Sequence, residues 1–574
     1  MPNIRMLLWF ALAVALYFNY EAWVRDYGDI GGTPAATAAP TASSASPGQP
    51  AASLGDTVPQ AAASAALSSA ALPPPAASPG IAAPVVASGS DGAPLQQVDV
   101  HTDVLDVHIN LRGGELDQAD LLRYPLHKDA PDVPVRLLNR DSGTSLYVVQ
   151  TGLSGDGSMP APTHLAAWSA AQQSYSLAAG ADELRVPLTW HDEAGLSVTK
   201  TFVFRRGAYG IGLVYDAKND GTAPRTLAPY AQILRHWEHA SRSYFDVETY
   251  SFKGPAIYDG AKSRDLKVED AEDSKFSATV TSGWLASLQH HFVTAIIPTA
   301  GDAFHYQLTV QNNQYLLSAT GPALAIPAGG SHAWTETLFV GPKLQSQLAA
   351  AGPSLERTAD YGKLTVISQP LFATLNWVHG LTGNWGWSII IVTALIKLMF
   401  YPLSQASGRS MAKMRAVGPR MKQIQETFKD DRAKLGQAMM DLYKKEKINP
   451  LAGCLPMLVQ IPFFISFYWV LLESVEMRQA PFLLWVNDLS SRDPWFVLPG
   501  LMGLAMFGQF KLNPAPPDPM QAKVMAFMPL VMTGTMMWFP SGLVLYWLTN
   551  TVLSIAQQLR INQVVEAEAK KPRS

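Results

Sequence analysis

The sequence predicts a polytopic α-helical membrane protein, an N-terminal anchor plus five further spans, carrying a periplasmic β-sandwich domain. Three observations carry this expectation. Hydrophobic residues make up 48% of the 574 and charged residues 16%, a balance unusual for one large soluble globule. The apolar residues concentrate at the N-terminus and after about residue 385. Between these regions the pattern alternates with period two, as half-buried strands do.

Each segment has its own reason. Residues 1–27 hold an apolar run from Met6 to Phe18 behind Arg5. The following "NYEAWVRDYG" has no small-x-small cleavage pattern, which predicts a retained anchor with its N-terminus in the cytoplasm. Residues 28–96 are dominated by Ala, Pro, Ser and Gly, and Asp56 and Asp91 are the only charges after Gly31. Such a segment buries too little apolar surface to offset its ordering entropy, so it reads as a disordered periplasmic linker whose exact sequence matters little. The β-sandwich-like domain spans 97–350. In "VLDVHINLRGG" the residues Leu105, Val107, Ile109 and Leu111 alternate with polar ones before a Gly-Gly turn, and "SVTKTFVFRRGAYGIGLVYDAKN" reads as a hairpin around "RRG".

Residues 351–384 are apolar but interrupted by Gln369, Pro370, Asn376 and His379, which predicts an amphipathic segment along the membrane interface. The core, 385–563, offers five spans: Trp385–Leu403, Leu455–Val475, Trp495–Leu512, Ala522–Trp538 and Leu543–Leu559. A basic tail, 564–574, closes the chain.

Charge sets the orientation. Residues 404–450 carry eleven Lys plus Arg against five acids, and four more Lys plus Arg follow from Arg560. The positive-inside rule places this loop and the C-terminus in the cytoplasm, in agreement with six crossings and a periplasmic sandwich.

The single cysteine, Cys454, excludes an intramolecular disulfide and a cysteine zinc site. Its "LAGC" context matches a lipoprotein cleavage pattern but lies too far from the N-terminus, so a small buried thiol at a helix start is expected. No phosphate-binding loop, His-Glu-x-x-His helix or Gly-x-Ser-x-Gly elbow occurs, so no enzyme, metal or cofactor is expected. The net charge of −3 gives no reason to expect a specific nucleic-acid partner.

Two features carry alternatives. In 404–450, Met414, Val417, Met421, Ile424 and Phe428, then Leu435, Met439 and Leu442, follow helical spacing around Asp430 and Asp431, which predicts a hairpin of two amphipathic helices. Pro419 starts or kinks the first of them. The stripe packs on itself, or it receives partners through its basic and Met-rich surface. The second feature is Lys397, four residues after Thr393 on one helical face, with Gln460, Asn550 and Gln557 in other spans. A charge near mid-helix costs about 2.5–3.5 kcal/mol on insertion scales. It lines a polar cavity, or it snorkels to the cytoplasmic end of its helix.

"MFYPLSQASGRSMAKMRAVGPRMKQIQETFKDDR", "LYKKEKINPLAGCLPMLVQIPFF", "VEMRQAPFLLWVNDLS", "DPMQAKVMAFMPLVM" and "FPSGLVLYWLTN" resemble the core of the YidC membrane protein insertases, and "VHTDVLDVHINLRGG" resembles the start of the periplasmic domain of Gram-negative members. The resemblance covers about Asp360–Gln563. It implies a five-helix core around a hydrophilic groove open to cytoplasm and lipid. It also implies insertion and folding of new inner-membrane proteins, alone or beside the Sec translocon, without covalent chemistry or cofactor. Lys397 stands where the family usually has an arginine; the charge is kept and the planar fork is lost.

By the same resemblance Lys397, Thr393, Gln460, Asn550 and Trp547 line the groove. Ile461, Phe464, Met528 and Met532 form a hydrophobic slide. Lys413, Arg415, Arg420 and Lys422 lie on the cytoplasmic docking hairpin. The implied partners are nascent membrane proteins, ribosome and signal recognition components, the Sec translocon with its accessory proteins, and membrane lipids. The residue pattern also admits a transporter, an intramembrane enzyme or an anchored sandwich. No internal repeat, no nucleophile-base pair and five C-terminal spans speak against these in turn.

Overall fold

In the computed structural model the strands between Gln97 and Pro342 pair into two sheets, one of eleven strands and one of nine. The residues described are 53–60, 97–140, 144–237, 251–359, 361–428, 431–446, 455–512 and 519–569. The expected N-terminal anchor, the linker other than 53–60, Cys454, Asp430 and residues 570–574 of the expected basic tail 564–574 lie outside them. Period-two alternation sends one side of each strand inward: Leu105, Val107 and Ile109 are fully buried. The hairpin forms as its sequence predicts, Leu196–Arg205 against Gly210–Asn219, with Phe202 opposite Leu213. Gly207 takes φ +70° in its turn, a conformation that a side chain resists.

Val149, Ile233 and Leu317 of the larger sheet share one hydrophobic core with Phe202, Tyr215 and Phe339 of the smaller, so the two sheets form a sandwich. The same alternation buries Lys200, whose ammonium donates to the carbonyls of Gly114 at 2.6 Å and Thr151 at 3.0 Å. An ammonium in a core is tolerated because its protons are satisfied and aromatic rings face it.

One stretch of the linker departs from the expectation. Leu54–Asp56 form a single 3-10 turn, and Leu54 is buried among Val148, Leu234 and Leu316. The composition of 28–96 hides this anchor because one leucine in an Ala/Pro background leaves the average unchanged.

The C-terminal half is helical: α1 (Gln345–Ala351), α2 (Thr365–Thr382), α3 (Trp385–Met399), α4 (Tyr401–Ala416), α5 (Gly418–Thr427), α6 (Arg432–Lys445), α7 (Leu455–Glu473), α8 (Val497–Leu512), α9 (Pro519–Met536) and α10 (Ser541–Ala569). The span expected from Trp385 to Leu403 is not one straight helix. It bends by 58° between α3 and α4, because Pro402 has no N–H for the Leu398 carbonyl. Among the described residues no single helix is both long and apolar enough to cross a membrane, and only this bent pair passes. In α10, Asn550, Gln557, Gln558, Arg560 and Asn562 dilute a 29-residue helix. Within 351–384, the segment expected along the interface, α2 is apolar on both sides: Leu371, Phe372 and Leu375 are buried, while Val366, Trp377 and Leu381 are exposed.

Helices α8 and α9 touch through a glycine. A Cβ on Gly503 would lie 2.2 Å from Thr533 Oγ1 and 3.3 Å from its Cβ, and a β-branched residue cannot swing aside. Gly503→Ala is expected to separate the helices and destabilise the chain by about 1–3 kcal/mol, read as a lower unfolding midpoint in detergent, while Gly500→Ala, which faces open space, leaves it unchanged.

Candidate functional site: a lysine held by neutral partners between three helices

Helix α3 begins at Asn384, whose side chain accepts from the Trp387 N–H at 3.2 Å and fixes the entry of the chain. Two turns on, Thr393 is buried and spends its hydroxyl on the Ile389 carbonyl at 2.6 Å. One further turn along the same face stands Lys397, 8% exposed. Its ammonium donates to Ser554 Oγ of α10 at 2.7 Å and lies 3.4 Å from Gln460 Oε1 of α7. Ser554 in turn donates to the Asn550 carbonyl at 2.7 Å, leaving its lone pairs for the lysine.

Three helices thus bring one charge and several dipoles together. Among the described residues no carboxylate stands within ion-pair distance of Lys397, so its neighbours solvate it without neutralising it. The Lys397 side chain turns toward α7 and α10. Ser554 is the member that sequence reading missed. Its signal was the Asn550, Ser554, Gln557 spacing of four and three, which puts all three on one side of α10.

The remaining expected residues fall into two environments. Trp547 is half-buried and meets Phe464 edge to face at 4.6 Å, while Phe464 also stacks on Tyr546. Asn550 is half-buried, and Met532 packs partly against the same helical core. Ile461 and Met528 are 43% and 44% exposed, in company with exposed Leu458, Ile465, Val524 and Phe527 on α7 and α9.

The basic loop folds as a hairpin of α5 and α6 behind α4. Pro419 starts α5, and Asp431 caps α6 by accepting from the N–H groups of Ala433 and Lys434. Val417, Met421 and Leu442 are buried together with Met414, Ile424 and Met439 around them, so the Met-rich stripe forms the hairpin's own core. Its outer face is charged: Arg420 pairs with Glu446 at 2.7 Å and Lys422 is exposed. The side chains of Lys413 and Arg415 lie outside the described residues.

The sandwich is fastened above this core. Arg478, beyond the end of α7, donates to the carbonyls of Pro125 and Leu126. His290 bonds the Leu472 carbonyl at 3.0 Å and stacks on His291 at 3.8 Å. Burial, with Lys343 and Lys253 nearby, pushes His290 down to about 3.

Comparison with known proteins agrees with this division. Residues 97–374 match the family described as YidC periplasmic domain, and residues 377–569 match that described as 60Kd inner membrane protein. The membrane protein insertase YidC of Thioalkalivibrio sulfidiphilus is 44% identical over 100% of both chains. That of Nitrosococcus oceani is 42% identical over 99% of this chain and 100% of its own. A crystal structure of an active YidC insertase with its first transmembrane domain resolved overlaps 81% of this chain and 92% of its own, at 17% identity and a TM-score of 0.36. The chain belongs to the YidC family of membrane protein insertases, bacterial inner-membrane proteins with a periplasmic domain that act on nascent membrane proteins and are not enzymes.

Proposed function

We propose that Lys397, with Gln460, Ser554 and Asn550, is the polar half of an insertion groove, and that Ile461 and Met528 are the exposed half of a slide on α7 and α9. The observation that carries this reading is a buried ammonium whose described partners are all neutral. An acidic or strongly hydrated client segment entering beside it exchanges water for a fixed cation and dipoles, which lowers its desolvation cost. The following hydrophobic helix leaves along the exposed aliphatic and aromatic side chains into lipid, and its partitioning drives the step. Thr393 supports the site by packing, since its hydroxyl is already bound within α3. Phe464, Trp547 and Met532 form the wall between groove and slide.

In this reading the chain crosses the inner membrane six times, as residues 1–27 and five core segments, with both termini in the cytoplasm. Lys413, Arg415, Arg420 and Lys422 offer a charged face to the ribosome and signal recognition components, and the Sec translocon and lipids adjoin the core.

The test is site-specific crosslinking to a ribosome-bound nascent membrane protein from probes at Lys397, at Ile461 and at exposed Leu324 of the sandwich. Adducts are expected at the polar segment from Lys397 and at the hydrophobic helix from Ile461. Equal yields from all three positions would sink the assignment.

A further inference from the structure

The docked linker segment lies on an ordered surface. Val148, Leu234 and Leu316 stand side by side on three adjacent strands of the larger sheet, since Leu234 pairs with both Val148 and Leu316. Two residues along, Gln232 pairs with Gln150 and Ser318 to form a second, polar row. Val149, Ile233 and Leu317 point into the sandwich, so these two rows form the outer face.

Each row reads a different part of the segment. Leu54 is buried on the apolar row. The Gln150 amide donates to the Gly55 carbonyl at 3.2 Å and the Gln232 amide to the Thr57 carbonyl at 3.2 Å. His164 Nε2 is 2.9 Å from the same Gly55 oxygen, and its Nδ1 is 2.6 Å from the Tyr230 hydroxyl. A carbonyl only accepts, so Nε2 carries the proton and Nδ1 accepts from Tyr230. Burial holds the ring neutral by pushing it down to about 4.

The selectivity follows from the contacts. A Cβ on Gly55 would come 3.0 Å from Leu234 Cδ2, which favours a small residue there. Everything else is read through backbone carbonyls. Gln232 Oε1 is buried and has no partner among the described residues, an acceptor that the present occupant leaves unused. A site that fixes one side chain and two carbonyls, and leaves an acceptor spare, is built for short polypeptide more than for one sequence.

We propose that this outer face is a peptide-binding site for unstructured segments with a large aliphatic residue followed by a small one, and that the linker segment Ser53–Gln60 is its exchangeable occupant in cis. Tethering keeps the occupant at high local concentration, so a free peptide competes poorly until the latch is released. The proposal stands apart from the groove, because its readout is peptide binding and not insertion.

The experiment uses the full chain in nanodiscs and a fluorescent peptide of sequence SLGDTVPQ, which is Ser53–Gln60. Leu54→Asp, a change in the linker and outside the core, is expected to raise peptide affinity at least tenfold over the unaltered chain. Adding Gln150→Ala and Gln232→Ala to it is expected to lose that gain, and a peptide with aspartate for its leucine is expected not to bind. In a Cys454→Ser background, Leu54→Cys with Leu316→Cys is expected to form a disulfide that excess peptide slows. A Leu54→Asp chain that ignores the peptide, or a double-cysteine chain that crosslinks no faster than one with the first cysteine at Asp91, would overturn the proposal.

Discussion

Lys397→Glu is expected to reduce insertion of clients with acidic translocated segments at least tenfold in cells depleted of other insertase, while Lys397→Arg stays within about twofold of the unaltered chain. The magnitude follows from one hydrogen bond to a charged group, about 1.5–3 kcal/mol and so tenfold or more, before like-charge repulsion is added. Arginine keeps the cation and still reaches Ser554 and Gln460, which accept from any N–H donor. Lys397→Met separates charge from volume: its unbranched stem fills the same space, and it is expected to fall between the two. Clients with neutral translocated segments are expected to be spared. Pulse-labelling with protease protection reads the result, and equal accumulation of each variant in the membrane excludes a folding defect. Full insertion of acidic clients by Lys397→Met would mean that the charge is dispensable.

The second large effect is acid destabilisation. His164, His290 and His291 are buried, and desolvation pushes His164 to about 4, His290 to about 3 and His291 well below its ordinary value. A folded-state value below the unfolded one means that the unfolded chain binds the extra protons as pH falls. The stabilisation is therefore complete above about pH 6.5 and is lost as pH falls toward 4 for His164 and toward 3 for His290. At pH 5 His164 and His290 are each expected to have removed about 2 kcal/mol, from 1.36 kcal/mol per pH unit below 6.5, and His291 adds in the same direction. Urea unfolding of the full chain in detergent from pH 7.5 to 5 is expected to show this slope. His290→Gln, whose amide can still donate to the Leu472 carbonyl, should flatten it by one proton. A pH-independent midpoint would refute the assignment. Because His290 meets the end of α7 through the Leu472 carbonyl and His291 stacks on His290, the seam between sandwich and helices is expected to loosen first.

Much of this was legible in the chain. Local periodicity determined the strands, the hairpin around Gly207, the cap at Asp431 and the polar face of α3 with Thr393 and Lys397, because these depend on residues a few positions apart. It could not assign Ser554, whose role needs α10 to lie beside α3. Nor could it tell whether Met421 and Met439 face a partner or each other; the closing of α5 on α6 decided that. The burial of Lys200 looks like an error in the alternation until Gly114 and Thr151, far off in sequence, present their carbonyls.

What the sequence by itself determined was the order of segments, the family and the presence of a cation within an apolar helix, since composition, charge and long motifs are properties of the chain. Only the tertiary structure decided that Lys397 is solvated by neutral groups from α7 and α10 and that Leu54 binds the outer face of a sheet. Each of these is a contact between residues distant in sequence, and its energy exists only once the chain has closed the loop between them.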